Sequence, residues 1–245
     1  METETHPFPV TVESWGWSLQ GTVRAENQDS FLNWAERMLW VVADGVGSDK
    51  RGGDAGRLIT RLLLETPSAA SLDAHAAHVR DMLRRSNDIL RAQRGEYRAS
   101  STVVALLMHG GEGLCLWAGD SQCYLLRDGV LYRCTREHTL RQEKIDSGEL
   151  TASEAERMVR GNIITNAIGA HDALRLSEVR FSLRGGDRFL ICSDGLSDLL
   201  GPDALAARLN RDSAKEAAED LENAVKGMNQ PDNITVVTVF VSALR

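Results

Sequence analysis

The amino-acid sequence predicts an α+β fold in which two central antiparallel β-sheets pack on each other and are flanked by helices. Three observations lead there. Strand-like runs are grouped with one another and helical segments with one another, unlike a strict strand–helix alternation. Arg127-Asp128-Gly129-Val130 joins two such runs with the Asp-Gly pair that a tight hairpin favours. The closing run Ile234–Val241 is almost continuously β-branched, the pattern of a strand buried on both faces.

The elements follow in chain order. Ser14–Thr22 and Arg37–Asp44 have strand-like composition. Asp54–Glu65 carries Leu58 and Leu62 at helical spacing and stops before Pro67. Leu72–Arg94 predicts a second helix with a solvated charged stripe, on which His75 and His78 are expected to face water. Thr102–His109, Leu114–Ala118, Gln122–Arg127 and Val130–Cys134 form a run of strands. Thr139–Arg160 is polar and broken at Gly148, and Thr151 with Glu154 has capping-box spacing, so a short helix starts there. Leu176–Phe181 and Asp187–Cys192 add strands. Pro202–Leu209 and Ser213–Met228 predict helices, the second with capping-box spacing at Ser213 and Glu216. No repeat or linker divides residues 1–245, so one domain is expected.

Composition bounds the function. With 245 residues, 42% of them hydrophobic and 26% charged, the chain can bury a sizeable core. A formal net charge of −7 disfavours a nucleic-acid partner, although bound cations would still admit a phosphorylated substrate. The first residues lack a signal-peptide pattern, and no apolar run approaches the roughly 18 residues of a membrane span. Cys115, Cys123, Cys134 and Cys192 show no CxxC spacing, which favours reduced, buried thiols. A cytoplasmic monomer with no membrane partner is expected.

Four stretches carry the chemistry: Leu39–Ser48, Leu114–Gln122, Phe189–Asp198 and Pro231–Val241. Each sets an aspartate (Asp44, Asp120, Asp194, Asp232) beside glycine or asparagine at the end of an apolar run. Carboxylates gathered at one sheet rim repel each other unless a cation sits among them. Oxygen donors of this kind suit Mg²⁺ or Mn²⁺. A lone Asp-Gly pair is more often a turn, as expected for Asp128. Asp198 has the look of a residue capping a short helix after Gly195. The Gly52-Gly53 pair suggests a tight loop behind the site.

In sequence order, Arg24-x-Glu-Asn-Gln-Asp29, Asp44-Gly45, Gly52-Gly53-Asp54-Ala55, Gly119-Asp120-Ser121, Asn162-x-Ile-Thr165, Ser193-Asp194-Gly195-x-Ser197-Asp198 and Asp232-Asn233-Ile-Thr form one series. The series resembles the metal-dependent serine/threonine protein phosphatases (the PPM, or type 2C, family), especially compact bacterial members, from about Gly16 to Val241. The resemblance implies a four-layer αββα sandwich around a dinuclear Mn²⁺ or Mg²⁺ centre, with a hydroxide bridging the ions. It implies Asp44 between the two ions with the Gly45 carbonyl on one. Asp194 and Asp232 would complete the other, Asp29 would act through bound water, and Asp120 with Asp194 would hold a third, weaker ion. Arg24 would bind the phosphoryl group, and residues 139–160 would form the flap beside the site. Substrates would be phosphoproteins of a cognate serine/threonine kinase, and some bacterial relatives of this type lie in type VI secretion loci.

The chain departs from the family pattern at several points. Val46 stands where many members carry histidine. Gln122 replaces arginine after Gly119-Asp120-Ser121, Glu137 replaces aspartate before His138-Thr139, and Ala99-Ser100-Ser101-Thr102 replaces small-Gly-Thr-Thr. Two other functions fit the sequence less well. A catalytically silent phosphoprotein-binding module would have no need of the full acidic set. A serine hydrolase on Ser121 or Ser197 lacks both the Gly-x-Ser-x-Gly elbow and an evident triad histidine.

Overall fold

The computed structural model describes residues 10–46, 51–93, 99–159 and 163–243. Asn162 of the motif series lies outside them. The order begins β1 (Val10–Leu19), β2 (Ser30–Trp34), β3 (Leu39–Ala43), β4 (Gly45–Val46), α1 (Arg51–Leu63) and α2 (Leu72–Ala92). Next come β5 (Ser100–Ser101), β6 (Val103–His109), β7 (Glu112–Ala118), β8 (Gln122–Arg127), β9 (Val130–Arg133), α3 (Leu140–Asp146) and α4 (Ala152–Met158). The chain closes with β10 (Ser177–Ser182), β11 (Arg188–Cys192), α5 (Asp194–Ser197), α6 (Pro202–Leu209), α7 (Ala214–Lys226) and β12 (Ile234–Ala243).

Two five-stranded antiparallel sheets result, ordered β1-β12-β11-β8-β9 and β10-β7-β6-β3-β2. Neighbouring side chains in the central strands serve different layers. Leu39 and Val41 of β3 pack under α1 and α2, while Trp40 and Val42 enter the core between the sheets. Leu190 and Cys192 of β11 face α6 and α7, and Phe189 and Ile191 face the other sheet. Because side chains alternate across a strand, a strand buried on both faces must be apolar at every position. That is why these runs lack polar alternation. Among the described residues no helix is long and apolar enough to cross a membrane.

The hairpin expected at Asp128-Gly129 forms, with φ of 51° and 79° at the two turn residues. The capping box at Thr151 and Glu154 is complete, and Ser213 accepts from the Glu216 N–H. β1 starts earlier than the expected Ser14, because all ten of its residues pair with β12. The short pair β4–β5, the strand β2 and the helix α3 escaped the sequence. β2 is a short edge strand with mixed composition, paired only to β3. α3 is capped by Thr139, whose hydroxyl accepts from the Gln142 N–H at 3.2 Å, a Thr-x-x-Gln signal that was present but passed over. Residues 139–159 thus hold two short helices, α3 and α4, with a turn at Gly148 where φ is 74°.

Candidate functional site

Both sheets send residues to one end of the sandwich. Asp44 directly follows β3 of one sheet, and Asp194 opens α5 two residues past β11 of the other. Asp120 and Asp232 lie two residues ahead of β8 and β12. Arg24 and Asp29 stand on the connection from β1 to β2. Arg24, Asp44, Gly45, Asp120, Asp194 and Asp232, separated by up to 208 residues in sequence, line one cavity of about 340 Å³. Asp29 sits behind it, 9% exposed, and accepts from the Ser193 hydroxyl at 2.8 Å.

Close backbone approach gathers these loops. A Cβ on Gly195 would fall 2.1 Å from the Asn233 carbonyl oxygen, so only glycine lets the Asp194 helix lie against the Asp232 loop. Gly45 meets Gly52 in the same way, with a Cβ–C separation of 2.3 Å. Gly52 therefore serves as a contact in the first turn of α1, and the expected turning loop is instead helix against strand. Hydrogen bonds then fix the carboxylate-bearing backbone. Thr102 N–H and Ser101 Oγ both donate to the Asp44 carbonyl, at 2.8 and 2.9 Å. Asn233 N–H donates to Asp232 Oδ1 at 2.8 Å, while Asn233 Oδ1 accepts from Gly21 N–H at 3.0 Å.

The electrostatics are those of crowded, desolvated acids. Burial and neighbouring carboxylates push Asp44 and Asp120 well above the usual carboxylate range, and burial lifts Asp29 to about 6. Asp120 is 1% exposed, and both its carboxylate oxygens are buried without a hydrogen-bond partner among the described residues, as is Asp29 Oδ1. Polar atoms in that condition are rare in folded proteins because each forfeits its hydration. A hard cation is the partner such oxygens suit, so the donor set fits Mn²⁺ or Mg²⁺. Among the described residues no three acidic, histidine or cysteine side chains form a group that could hold a metal as they stand; the carboxylates ring an open cavity. Arg24 is the cation present at the lip. It is 39% exposed, with Nε donating to Asp232 Oδ1 at 2.7 Å and Nη2 to Oδ2.

Several expectations need correction. Asp198 ends α5, yet its side chain lines the same cavity, and burial together with Asp194 raises its pKa to about 6. Ile164 joins the lining as well. His75 is buried, 5% exposed, rather than solvated. His138 is structural: Nδ1 accepts from Gly119 N–H at 3.2 Å and Asn166 Nδ2 at 2.9 Å, which leaves Nε2–H to donate to Ser177 Oγ. Glu137 Oε1 accepts from Gln122 Nε2 and Arg133 Nη1, both at 3.0 Å, so β9 supplies the cation missing at position 122. Ser121 pairs with Thr102 Oγ1 at 2.6 Å and Ser197 donates to the Asp194 carbonyl, and among the described residues no histidine is hydrogen-bonded to either hydroxyl.

The family model for protein phosphatase 2C matches residues 22–228, which take in Arg24, Asp44, Gly45, Asp120 and Asp194 of this cavity and stop just short of Asp232. The chain belongs to the protein phosphatase 2C family. It is 33% identical over 227 residues to the serine/threonine protein phosphatase PstP of Mycobacterium tuberculosis, a match covering 91% of this chain and 43% of that protein. The chain thus spans less than half the length of that curated relative. Its solved neighbours include PppA, described as a key regulatory component of T6SS in Pseudomonas aeruginosa, with a TM-score of 0.87 and 35% identity over 94% of this chain and 98% of the other. The catalytic domain of PstP in complex with two manganese ions gives 0.80 and 31%, over 96% of this chain and 100% of that domain. The two sheets flanked by helices are the phosphatase 2C sandwich.

Proposed function

We propose that this phosphatase 2C chain hydrolyses phosphoserine and phosphothreonine in proteins with the help of two Mn²⁺ or Mg²⁺ ions, opposing a serine/threonine kinase. The observation that carries the reading is the set of crowded carboxylates around a cavity with a guanidinium at its lip, with both Asp120 oxygens buried and without a hydrogen-bond partner among the described residues. Asp44 would be shared by both ions with the Gly45 carbonyl on one, Asp194 and Asp232 would complete the second, and Asp29 would act through water. Asp120 and Asp194, joined by Asp198, would hold a third. When bound, the ions would supply an acidified water and offset phosphoryl charge. The two manganese ions reported with PstP support a two-ion centre.

The chain's own residues then bind and orient. Asp232 accepts from Arg24 through Nε and Nη2, a pairing that strengthens the guanidinium's charged form, and the guanidinium would meet a phosphoryl oxygen. Val46 offers no proton, so no side chain at that position protonates the leaving oxygen. The likeness to PppA supports a bacterial signalling role, with a secretion system as one candidate process.

The test is phosphate release from phosphothreonine peptides with Mn²⁺, with chelator, and after Mn²⁺ is restored. Release that needs the cation is expected. Hydrolysis that persists in chelator and is lost in Ser121→Ala would favour serine chemistry, and a folded protein with no turnover would favour a silent binding module.

A further inference from the structure

A second cavity opens beside the acidic one, and its walls are of another kind. Val23, Leu199 and Pro231 face about 260 Å³ of space, and Arg24, Asp198 and Asp232 form a wall common to both cavities. Val23 is 76% exposed. A single exposed valine needs no explanation, but here it stands across from two more apolar groups at the lip of the phosphoryl site. The walls are preformed: Thr22 N–H donates to the Gln230 carbonyl at 2.7 Å and Val23 N–H to the Pro231 carbonyl at 3.4 Å, tying one wall to the other. Leu199 is anchored by its N–H to the Leu196 carbonyl at 3.1 Å. The volume falls below that of pockets enclosing whole small molecules, roughly 300–1,000 Å³, and suits one side chain.

We infer that this cavity is a specificity subsite that takes an aliphatic side chain of the phosphoprotein substrate, two residues from the phosphorylated one. The inference rests on the hydrolase reading above. Continuity points to the occupant: the two cavities share Arg24, Asp198 and Asp232, so a peptide whose phosphoryl group lies at Arg24 has this cavity beside it. In an extended peptide, neighbouring side chains point to opposite faces, and those two apart share a face about 6.5 Å from each other. A phosphoresidue directed at the acidic cavity therefore directs its second neighbour, on one side or the other, at Val23 and Leu199. Apolar burial there adds binding without touching the reacting atoms, so the preference should appear in KM.

The experiment compares phosphothreonine peptides in Mn²⁺ that carry leucine at the second position before or after the phosphothreonine with the same peptides carrying alanine there. The native chain should favour one leucine peptide by about tenfold in kcat/KM, the discrimination expected of a small apolar pocket. Val23→Ser, a change at an exposed position with little cost to folding, and Leu199→Ala should each reduce that preference to twofold or less. Both variants should leave turnover of the alanine peptide unchanged. Equal turnover of leucine and alanine peptides by the native chain, or a preference surviving in both variants, overturns the subsite while the hydrolase reading stands. Absence of phosphate release from every peptide overturns both.

Discussion

Two buried aspartates stand at opposite ends of the β8–β11 strand pair, and each is 1% exposed. Asp187, at one end, is saturated. It accepts from Arg127 Nε at 2.7 Å, Arg127 Nη2 at 2.6 Å and Arg184 N–H at 2.8 Å. Asp120, at the other, has two buried oxygens and no hydrogen-bond partner among the described residues. Burial is the same and chemistry differs. A saturated buried acid fixes the fold, whereas an unsatisfied one costs stability and is retained for something that binds there.

Substitutions at the two ends should separate their roles. The largest effect is expected at the cavity's centre: Asp44→Ala should lower Mn²⁺-dependent turnover by about a thousandfold or more, on the order of 4 kcal/mol of barrier, with the fold intact by circular dichroism. Next, Asp187→Ala should strand the Arg127 charge and destabilise the fold by about 3 kcal/mol in denaturant titration, with little change in metal affinity. Asp120→Asn should go the other way. In chelator it should raise stability by about 1 kcal/mol, read as a Tm rise of roughly 2–4 °C for a chain of this size. A loss of stability in Asp120→Asn would show that this end, too, is held by its acids.

His75 tests whether the same logic holds away from the cavity. Burial, aided by His109, His78 and Arg37, holds its pKa down at about 4. A base whose folded pKa lies below its free value of 6.5 favours folding when neutral, so stability is full above pH 6.5 and is lost as pH falls toward 4. The cost at pH 5 should be about 1–2 kcal/mol, and His75→Gln should flatten that slope in thermal melts at pH 7 and pH 5.

What the sequence carried was what strand periodicity and chain-local spacing encode. Trp40 and Val41 serve different layers, yet both are apolar, so the run that ends at Asp44 was legible as a buried strand. Asp44, Asp120, Asp194 and Asp232 could be placed together because each follows or precedes such a run. What depends on contacts across the fold was hidden. Asp198 ends a short helix and has the look of a local cap; only the packing of α5 against the β12 loop turns it toward Asp120 and Asp194. The Arg24–Asp232 pair joins residues 208 apart. Gly52 suggested a turn because glycine's commonest use is conformational, while here it lets α1 touch the backbone at Gly45. The apolar cavity at Val23, Leu199 and Pro231 has no sequence signature, since its three walls come from three distant loops.

The acids crowded at the cavity are there to hold metal. Mn²⁺ titration by calorimetry tests it directly on the native chain, Asp44→Asn and Asp187→Asn. The native chain and Asp187→Asn should bind at least two ions each, while Asp44→Asn should lose tight binding. Undiminished Mn²⁺ binding by Asp44→Asn, or none by the folded native chain, would contradict it.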